Sequence, residues 1–421
     1  MKLRALGGGV DGLFIESERF NTTLVSFNFY VPQNINDLSV NALLPYVLTS
    51  CSQNYSTFTE LNLALNMLYG ADLSVSVSKI GDAQIIKIAV SVINDEFSID
   101  GEPIIEKAAN LIMELIFNPK IVDNSFCEQD LNREKRKVKE HILGEINDKR
   151  RYARKRLIAE MFEGSDYGVS AYGTVEQLEK ITGKDLFDAW QKLLINSYVR
   201  VQLVGKRNPD GFFEKIAEEF SKYNRVINND YKKLSALFVR ENVKEVEECM
   251  DVTQGKLVMG FSSETWGNDA YALTVATDIF GGGTYSGLFE NVREKLSLCY
   301  YCSASANKNK GYIMVDSGVE FDKAEKAREE ILNQLDIVKK GEFPDSTLQA
   351  SIKNILNTLN SSYDSLGALD SWYCATIYSD DIKTPEDVAF IISSITKEQV
   401  VAAANGIRLH TVFSLMGKQG E

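Results

Sequence analysis

The sequence predicts an α+β protein made of two similar domains, about 1–230 and 235–421, each a mainly antiparallel sheet with helices packed on one side. Three observations predict it. One order of segments runs twice along the chain. Each pass holds an alternating strand–turn–strand. Each pass closes with a helix and then an apolar strand that stops at Gly-Lys.

The elements follow in order. "TLVSFNFYVPQNIND" (23–37) and "KLVMGFSSETWGND" (256–269) are strand patterns that end at Asn36-Asp37 and Asn268-Asp269, residues suited to cap a following helix. "LSVSVSKIGDAQIIKIAVSV" (73–92) alternates, turns at Ile80-Gly81-Asp82 and alternates again; "YYCSASANKNKGYIMVDSGV" (300–319) does the same around Asn307 to Gly311. Helical patterns follow at 104–117 and 322–340, and then a long helical stretch in each half, roughly 125–163 and 344–378. At the end of each half, Thr182 and Thr396 are placed to cap a helix, and the closing strands stop at Gly205-Lys206 and Gly417-Lys418, 23 and 21 residues beyond those caps.

Composition narrows the function classes. With 44% hydrophobic and 25% charged residues over 421 positions, this is an ordinary globular chain. Its net charge of −13 speaks against broad binding to nucleic acid or to an anionic membrane, both of which need a basic footprint. No apolar run approaches the roughly 20 residues that span a bilayer. The start "MKLRALGGGVDGLFIES" has no apolar signal-peptide core. Cys51, Cys127, Cys249, Cys299, Cys302 and Cys374 are scattered as free thiols would be in a reducing compartment. The expectation is a cytoplasmic protein.

Few segments carry chemistry. Gly281, Gly282 and Gly283 open "GGGTYSGLF", but no Lys follows until Lys295, and the preceding "DAYALTVATDIF" reads as helix, so a phosphate loop is not expected. The glycines break a helix and leave backbone open to a close-lying partner. His141 and His410 are the only histidines, too few for the usual catalytic zinc site. His410 sits in an apolar strand, and His141 has Lys137 and Glu145 as its helical neighbours. Cys299 and Cys302 form a lone C-x-x-C on a strand, where an offset of three should point the thiols to opposite faces as packed free cysteines, with zinc or redox use as the alternative. The basic run 131–157 reads as a solvated helix face, with a partner-contact surface as the alternative.

Two segments resemble a known family. "IFGGGTYSGLFENVREKLSLCYYCSAS" (279–305), with Arg293 and Tyr300 seven residues apart, is similar to the C-terminal-domain signature of the M16 peptidases, the pitrilysin, insulinase and mitochondrial-processing-peptidase family. "AYGTVEQLEKITGKDLFDAWQKLL" (171–194) resembles a segment of that family's N-terminal domain. The resemblance implies duplicated α+β domains closing as a clamshell. Active members carry His-x-x-Glu-His for zinc; the matching positions here are Ala42, Pro45 and Tyr46, with Glu140 as the surviving third ligand. It therefore implies a chain that is inert alone and holds no cofactor, with zinc in a partner homologue. In two-subunit members, the resemblance assigns Arg293 and Tyr300 to transition-state support in trans and the Gly281 to Gly283 loop to guiding polypeptide. The expected partners are a zinc-bearing M16 homologue, forming a heterodimer, and a peptide or unfolded polypeptide substrate, with neither nucleic acid nor membrane. The alternative is a peptide-binding or scaffold protein with no proteolytic role.

Overall fold

The computed structural model describes residues 2–379 and 381–417. In the first half of the chain come β1 (Lys2–Gly7), β2 (Val10–Glu16), β3 (Thr22–Pro32), α1 (Leu38–Leu48), α2 (Phe58–Met67), β4 (Asp72–Ile80), β5 (Ala83–Ile93) and α3 (Ile104–Phe117). A small hairpin, β6 (Ile121–Val122) and β7 (Ser125–Phe126), leads to α4 (Glu128–Gly144), α5 (Lys149–Met161), α6 (Val175–Lys180), α7 (Gly183–Asn196), β8 (Tyr198–Gly205) and α8 (Phe212–Ser221). The second half holds β9 (Lys244–Met250), β10 (Gly255–Ser263), α9 (Tyr271–Gly281), a π-helical segment Leu288–Lys295, β11 (Cys299–Asn307) and β12 (Tyr312–Val319). It ends with α10 (Ala324–Lys340), α11 (Asp345–Ser361), α12 (Leu366–Ala375), α13 (Pro385–Ser393), α14 (Lys397–Asn405) and β13 (Ile407–Gly417). Lys418, expected just past the last strand, lies outside the described residues.

Local signals account for many of these boundaries. Thr182 and Thr396 each accept a backbone N–H at the third helical position, from Asp185 and Gln399, and those side chains bond back to the cap, which satisfies two orphan donors per helix. The other two expected caps are different. Asp37 occupies the N-cap of α1 without a side-chain cap bond, and its carboxylate takes Lys192 Nζ at 2.5 Å. Helix α9 starts after Ala270; the Asn268 amide donates to the Tyr378 carbonyl, and Asp269 lies 3.8 Å from Lys383. In both places a distant partner has won the polar side chain from the helix end.

The two long helical stretches each break once. Asp148 accepts from Arg151 N at 3.0 Å and restarts the chain as α5; Ser365 accepts from Ala368 N at 3.1 Å and restarts it as α12. At these breaks the chain passes between two compact units. One comprises Met1–Leu143, Val169–Lys233 and Ser362–Ile377; the other comprises Gly144–Gly168, Leu234–Ser361 and Tyr378–Glu421. Each unit thus includes one helix from the opposite half of the sequence, α12 in the first and α5 in the second.

In the first unit the described residues form a six-stranded sheet of order β1-β2-β8-β3-β5-β4, antiparallel except where β2 meets β8. Phe27 sits opposite Ile88 and Val201, which sets the register. Val25, Phe27 and Phe29 bury one face in a core that includes Leu43, Leu44, Ile112 and Leu193 from the helix layer. The alternate residues Ser26, Asn28 and Tyr30 take the other face, where α12 lies: Ser26 Oγ donates to Asp370 at 2.5 Å, Tyr30 Oη to the Cys374 carbonyl at 3.0 Å, and Arg200 to the Tyr373 carbonyl at 2.9 Å. Lys87 completes this polar layer as an ion pair with Asp370.

In the second unit the described residues form a five-stranded sheet of order β11-β12-β10-β13-β9, antiparallel except where β13 meets β9. With β1 set aside, strand order and direction match those of the first sheet. Phe261 packs edge-on to Phe280 of α9, ring centroids 6.4 Å apart, on the main helix side. On the opposite face Val258, Met314, Phe413 and Leu415 close over Ala153, Leu157 and Met161 of α5. Gly260 permits that approach, because a Cβ there would overlap the Met161 thioether. Arg150 of α5 donates to Asp316 of β12 at 2.5 Å.

Candidate functional site

In the first unit, Ala42, Pro45 and Tyr46 lie on α1. Ala42 is fully buried in the core, and Pro45, inside the helix, has neither an N–H nor a side-chain donor atom. Tyr46 is half-buried, and its hydroxyl lies 3.1 Å from that of Tyr172. Burial first, and then that hydrogen bond, push the Tyr46 phenol well above its ordinary acidity range, so it stays protonated. A methyl group, a pyrrolidine ring and a protonated phenol do not fit a zinc ion. Among the described residues, no group of three or more His, Cys, Asp or Glu side chains is arranged to hold a metal.

Glu140 does not face this place. It sits on the exposed side of α4, whereas Glu134, 2% exposed, lines a pocket of about 200 Å³ with Tyr46, Thr49, Phe58, Leu61 and Lys137. Leu131, Glu134 and Val138 share the buried stripe of α4, spaced three and four residues apart, so the helical period was the available signal; Glu140 is off that stripe. Glu134 is already neutralised by Arg133 Nε at 2.8 Å and Lys137 Nζ at 2.9 Å. The His141 ring rests against Tyr172, centroids 4.5 Å apart.

Much of the basic run is used inside the chain. Arg133 and Lys137 hold Glu134, Lys139 pairs with Glu179, Arg150 with Asp316, Lys155 with Glu145, and Arg156 with Glu160 and Glu248. His410 is fully buried in β13, with its ring against Phe238.

The second unit brings Arg293 and Tyr300 together. Arg293 lies in the last turn of the π-helical segment Leu288–Lys295, a rare form that is frequent at functional sites. Ser297, held in the left-handed region at φ 48°, turns the chain into β11. Arg293 and Tyr300 then line one open pocket of about 360 Å³ with Glu294, Cys299, Glu320 and Lys323. Tyr300 is 58% exposed, and its hydroxyl donates to Glu320 at 3.4 Å. The Arg293 guanidinium lies 4.7 Å from the Phe289 ring centroid and 3.5 Å from Glu294. Glu320 and Lys323 were not singled out from the sequence; they follow the hairpin and reach the pocket only through the fold.

The three glycines are packed by the chain itself. A Cβ on Gly281 would come within 2.6 Å of Ala304 N, one on Gly282 would overlap the Asp278 carboxylate, and one on Gly283 would come 2.7 Å from the Tyr285 ring. Asp278 accepts from the Tyr285 hydroxyl and, at 2.9 Å, from Asn354. Gly281 is buried and Gly282 exposed.

Cys299 and Cys302 do not point to opposite faces. A bulge between Cys299 and Tyr301 adds one residue to β11, so Cys299 lies opposite Val319 and Cys302 opposite Ser317, on one face.

Comparison with known proteins agrees with this geometry. The family model described as "Peptidase M16 inactive domain" matches residues 180–355. The chain is similar to YmfF of Bacillus subtilis (strain 168), described as a "probable inactive metalloprotease", at 30% identity over 427 residues, covering 100% of this chain and 98% of that one. Among solved structures it resembles a conserved protein from Enterococcus faecalis V583, with TM-score 0.88, 26% identity and coverage of 100% and 99% of the two chains. It shares its fold with a peptidase M16 inactive domain from Pseudomonas fluorescens, TM-score 0.79 at 16% identity, with 100% and 99% covered. No helix among the described residues is long and apolar enough to cross a membrane. A likeness that runs the length of the chain leads to one conclusion: this protein belongs to the M16 metallopeptidase family as one of its inactive homologues.

Proposed function

We propose that this chain is the non-catalytic subunit of a heteromeric M16-type zinc peptidase, binding polypeptide and lending Arg293 and Tyr300 to the reaction of a zinc-bearing homologue. The observation that carries the reading is the contrast between α1, stripped of ligand chemistry, and an open pocket that still pairs an arginine with an exposed, lightly held phenol. Peptide hydrolysis puts negative charge on the carbonyl oxygen. A hydroxyl aimed at it stabilises the transition state by about 3 kcal/mol. A guanidinium offers a fixed fork of donors to the same carbonyl or its neighbour. The Gly281 to Gly283 loop belongs to this substrate-facing surface through exposed Gly282. The matching strand order of the two sheets supports descent of the halves, about 1–230 and 235–421, from one duplicated domain. The free cysteines are in keeping with a cytoplasmic setting.

The test is co-purification. The partner should carry an intact His-x-x-Glu-His, and the mixture should cleave unstructured peptides while neither chain alone does. Tyr300→Phe in this chain should lower kcat/KM on the order of 100-fold. An unchanged rate would remove the in-trans role. A peptide-binding or scaffold role without proteolysis is the second reading, favoured by the internal packing of all three glycines. It expects complex formation with no cleavage in any mixture.

A further inference from the structure

Tyr300 is the extra residue of the β11 bulge, left without a partner across the ladder. Bulges re-aim side chains, and this one has two consequences. It turns Tyr300 outward, and it puts Cys299 and Cys302 side by side on the inner face, 8% and 6% exposed, both as free thiols. Cys299 also lines the open pocket beside Arg293 and Tyr300.

We propose that Cys299 and Cys302 form a dithiol oxidised by hydrogen peroxide, whose disulfide tightens the bulge that presents Tyr300. The chemistry balances. The Cys299 thiolate attacks one oxygen of the peroxide, the O–O bond breaks, and the other oxygen leaves with a proton as water, giving a sulfenic acid at Cys299. The Cys302 sulfur then attacks the Cys299 sulfur; an S–S bond forms, the S–O bond breaks, and the Cys302 proton leaves with the hydroxide as a second water. Two thiols lose two electrons, and one peroxide becomes two waters. The order of events follows from the surroundings. Interaction with Cys302, with the Arg293 charge behind it, lowers the Cys299 pKa against burial, which raises it; interaction with Cys299 first, and then burial, hold Cys302 up. Cys299, which also lines the pocket where Cys302 does not, is therefore the attacking group and Cys302 the resolving one. A disulfide draws two Cβ atoms to about 3.8 Å, and the residue between the cysteines that lacks a ladder partner is Tyr300. Formation of the disulfide does not depend on the in-trans role of Tyr300.

The experiment treats the full-length chain with hydrogen peroxide, blocks remaining thiols with a maleimide, and reads tryptic peptides by mass spectrometry. Both cysteines fall on one peptide, 296–308. The expected result is loss of two hydrogens and no maleimide on that peptide, restored to double labelling by dithiothreitol, together with slowed backbone hydrogen exchange across it. Cys302→Ser should leave a dimedone-reactive sulfenic acid at Cys299; if that variant fails to fold, the native chain still decides. Double maleimide labelling of 296–308 after peroxide has oxidised exposed Cys127 and Cys249 would overturn the dithiol. A disulfide with unchanged hydrogen exchange would overturn its link to the bulge.

Discussion

The hydroxyls of Tyr46, on α1, and Tyr172 lie 3.1 Å apart. The pair gives a polar residue at a half-buried position a partner within the protein. The full-length chain purified without added metal is expected to hold no stoichiometric zinc by elemental analysis, and Tyr46→His alone should not restore it, because Ala42 and Pro45 supply nothing. Tyr46→Phe and Tyr172→Phe should each cost about 0.5–1.5 kcal/mol in denaturant unfolding, and the double variant less than their sum.

Asp370 joins α12 to the first sheet through Lys87 and Ser26. Asp370→Ala leaves Lys87, mostly buried, without its counter-charge, and should cost about 3–5 kcal/mol. Burial lowers the Lys87 pKa, but Asp370 overcomes it, so the net shift is upward. A raised lysine adds stability below its unfolded pKa and loses it as pH climbs through the folded one. The native chain should therefore lose this contribution only above the ordinary lysine range, and the difference in Tm between native and Asp370→Ala should shrink there.

Gly260 lets α5 lie against β10. Gly260→Ala should cost about 1–3 kcal/mol by overpacking against Met161. Met161→Ala alone should cost about 2–5 kcal/mol as a cavity. Together they should cost less than the sum, because the new methyl occupies part of the space the thioether vacates. Additive losses would mean that the two residues do not share that contact.

His410 has an acid-side effect. Burial first, then the charge of Arg240, lower its pKa from 6.5 to about 4, against a Phe238 backbone hydrogen bond that raises it. A depressed folded pKa means the unfolded chain binds the proton more readily, so stability is intact above pH 6.5 and falls as pH drops toward 4. Across that window, Tm of His410→Gln should depend less steeply on pH than that of the native chain. Parallel profiles would assign the acid sensitivity to other groups.

The parts of this fold that were legible in sequence are those set by near neighbours. Thr182 and Thr396 cap as expected because the N–H groups they accept lie three residues on. The hairpins close at Gly81 and Gly311 because each has positive φ, which glycine adopts at little cost. Asp37 and Asp269 carried the same capping signal and were drawn away by Lys192 and Lys383, residues remote in sequence.

By itself the sequence determined the α+β class and the repeated order of segments, and it put neither imidazole nor carboxylate at Ala42, Pro45 and Tyr46, a property of composition that no packing reverses. Only the tertiary structure decided that Glu134 and not Glu140 turns toward Tyr46, that the long helical stretches break at Asp148 and Ser365, and that one added residue in β11 sends Tyr300 outward and the two thiols inward. The physical reason is range. Capping and alternation act over a few residues, whereas Ser26 and Asp370, 344 positions apart, meet only when a folded sheet and helix offer each other matching surfaces.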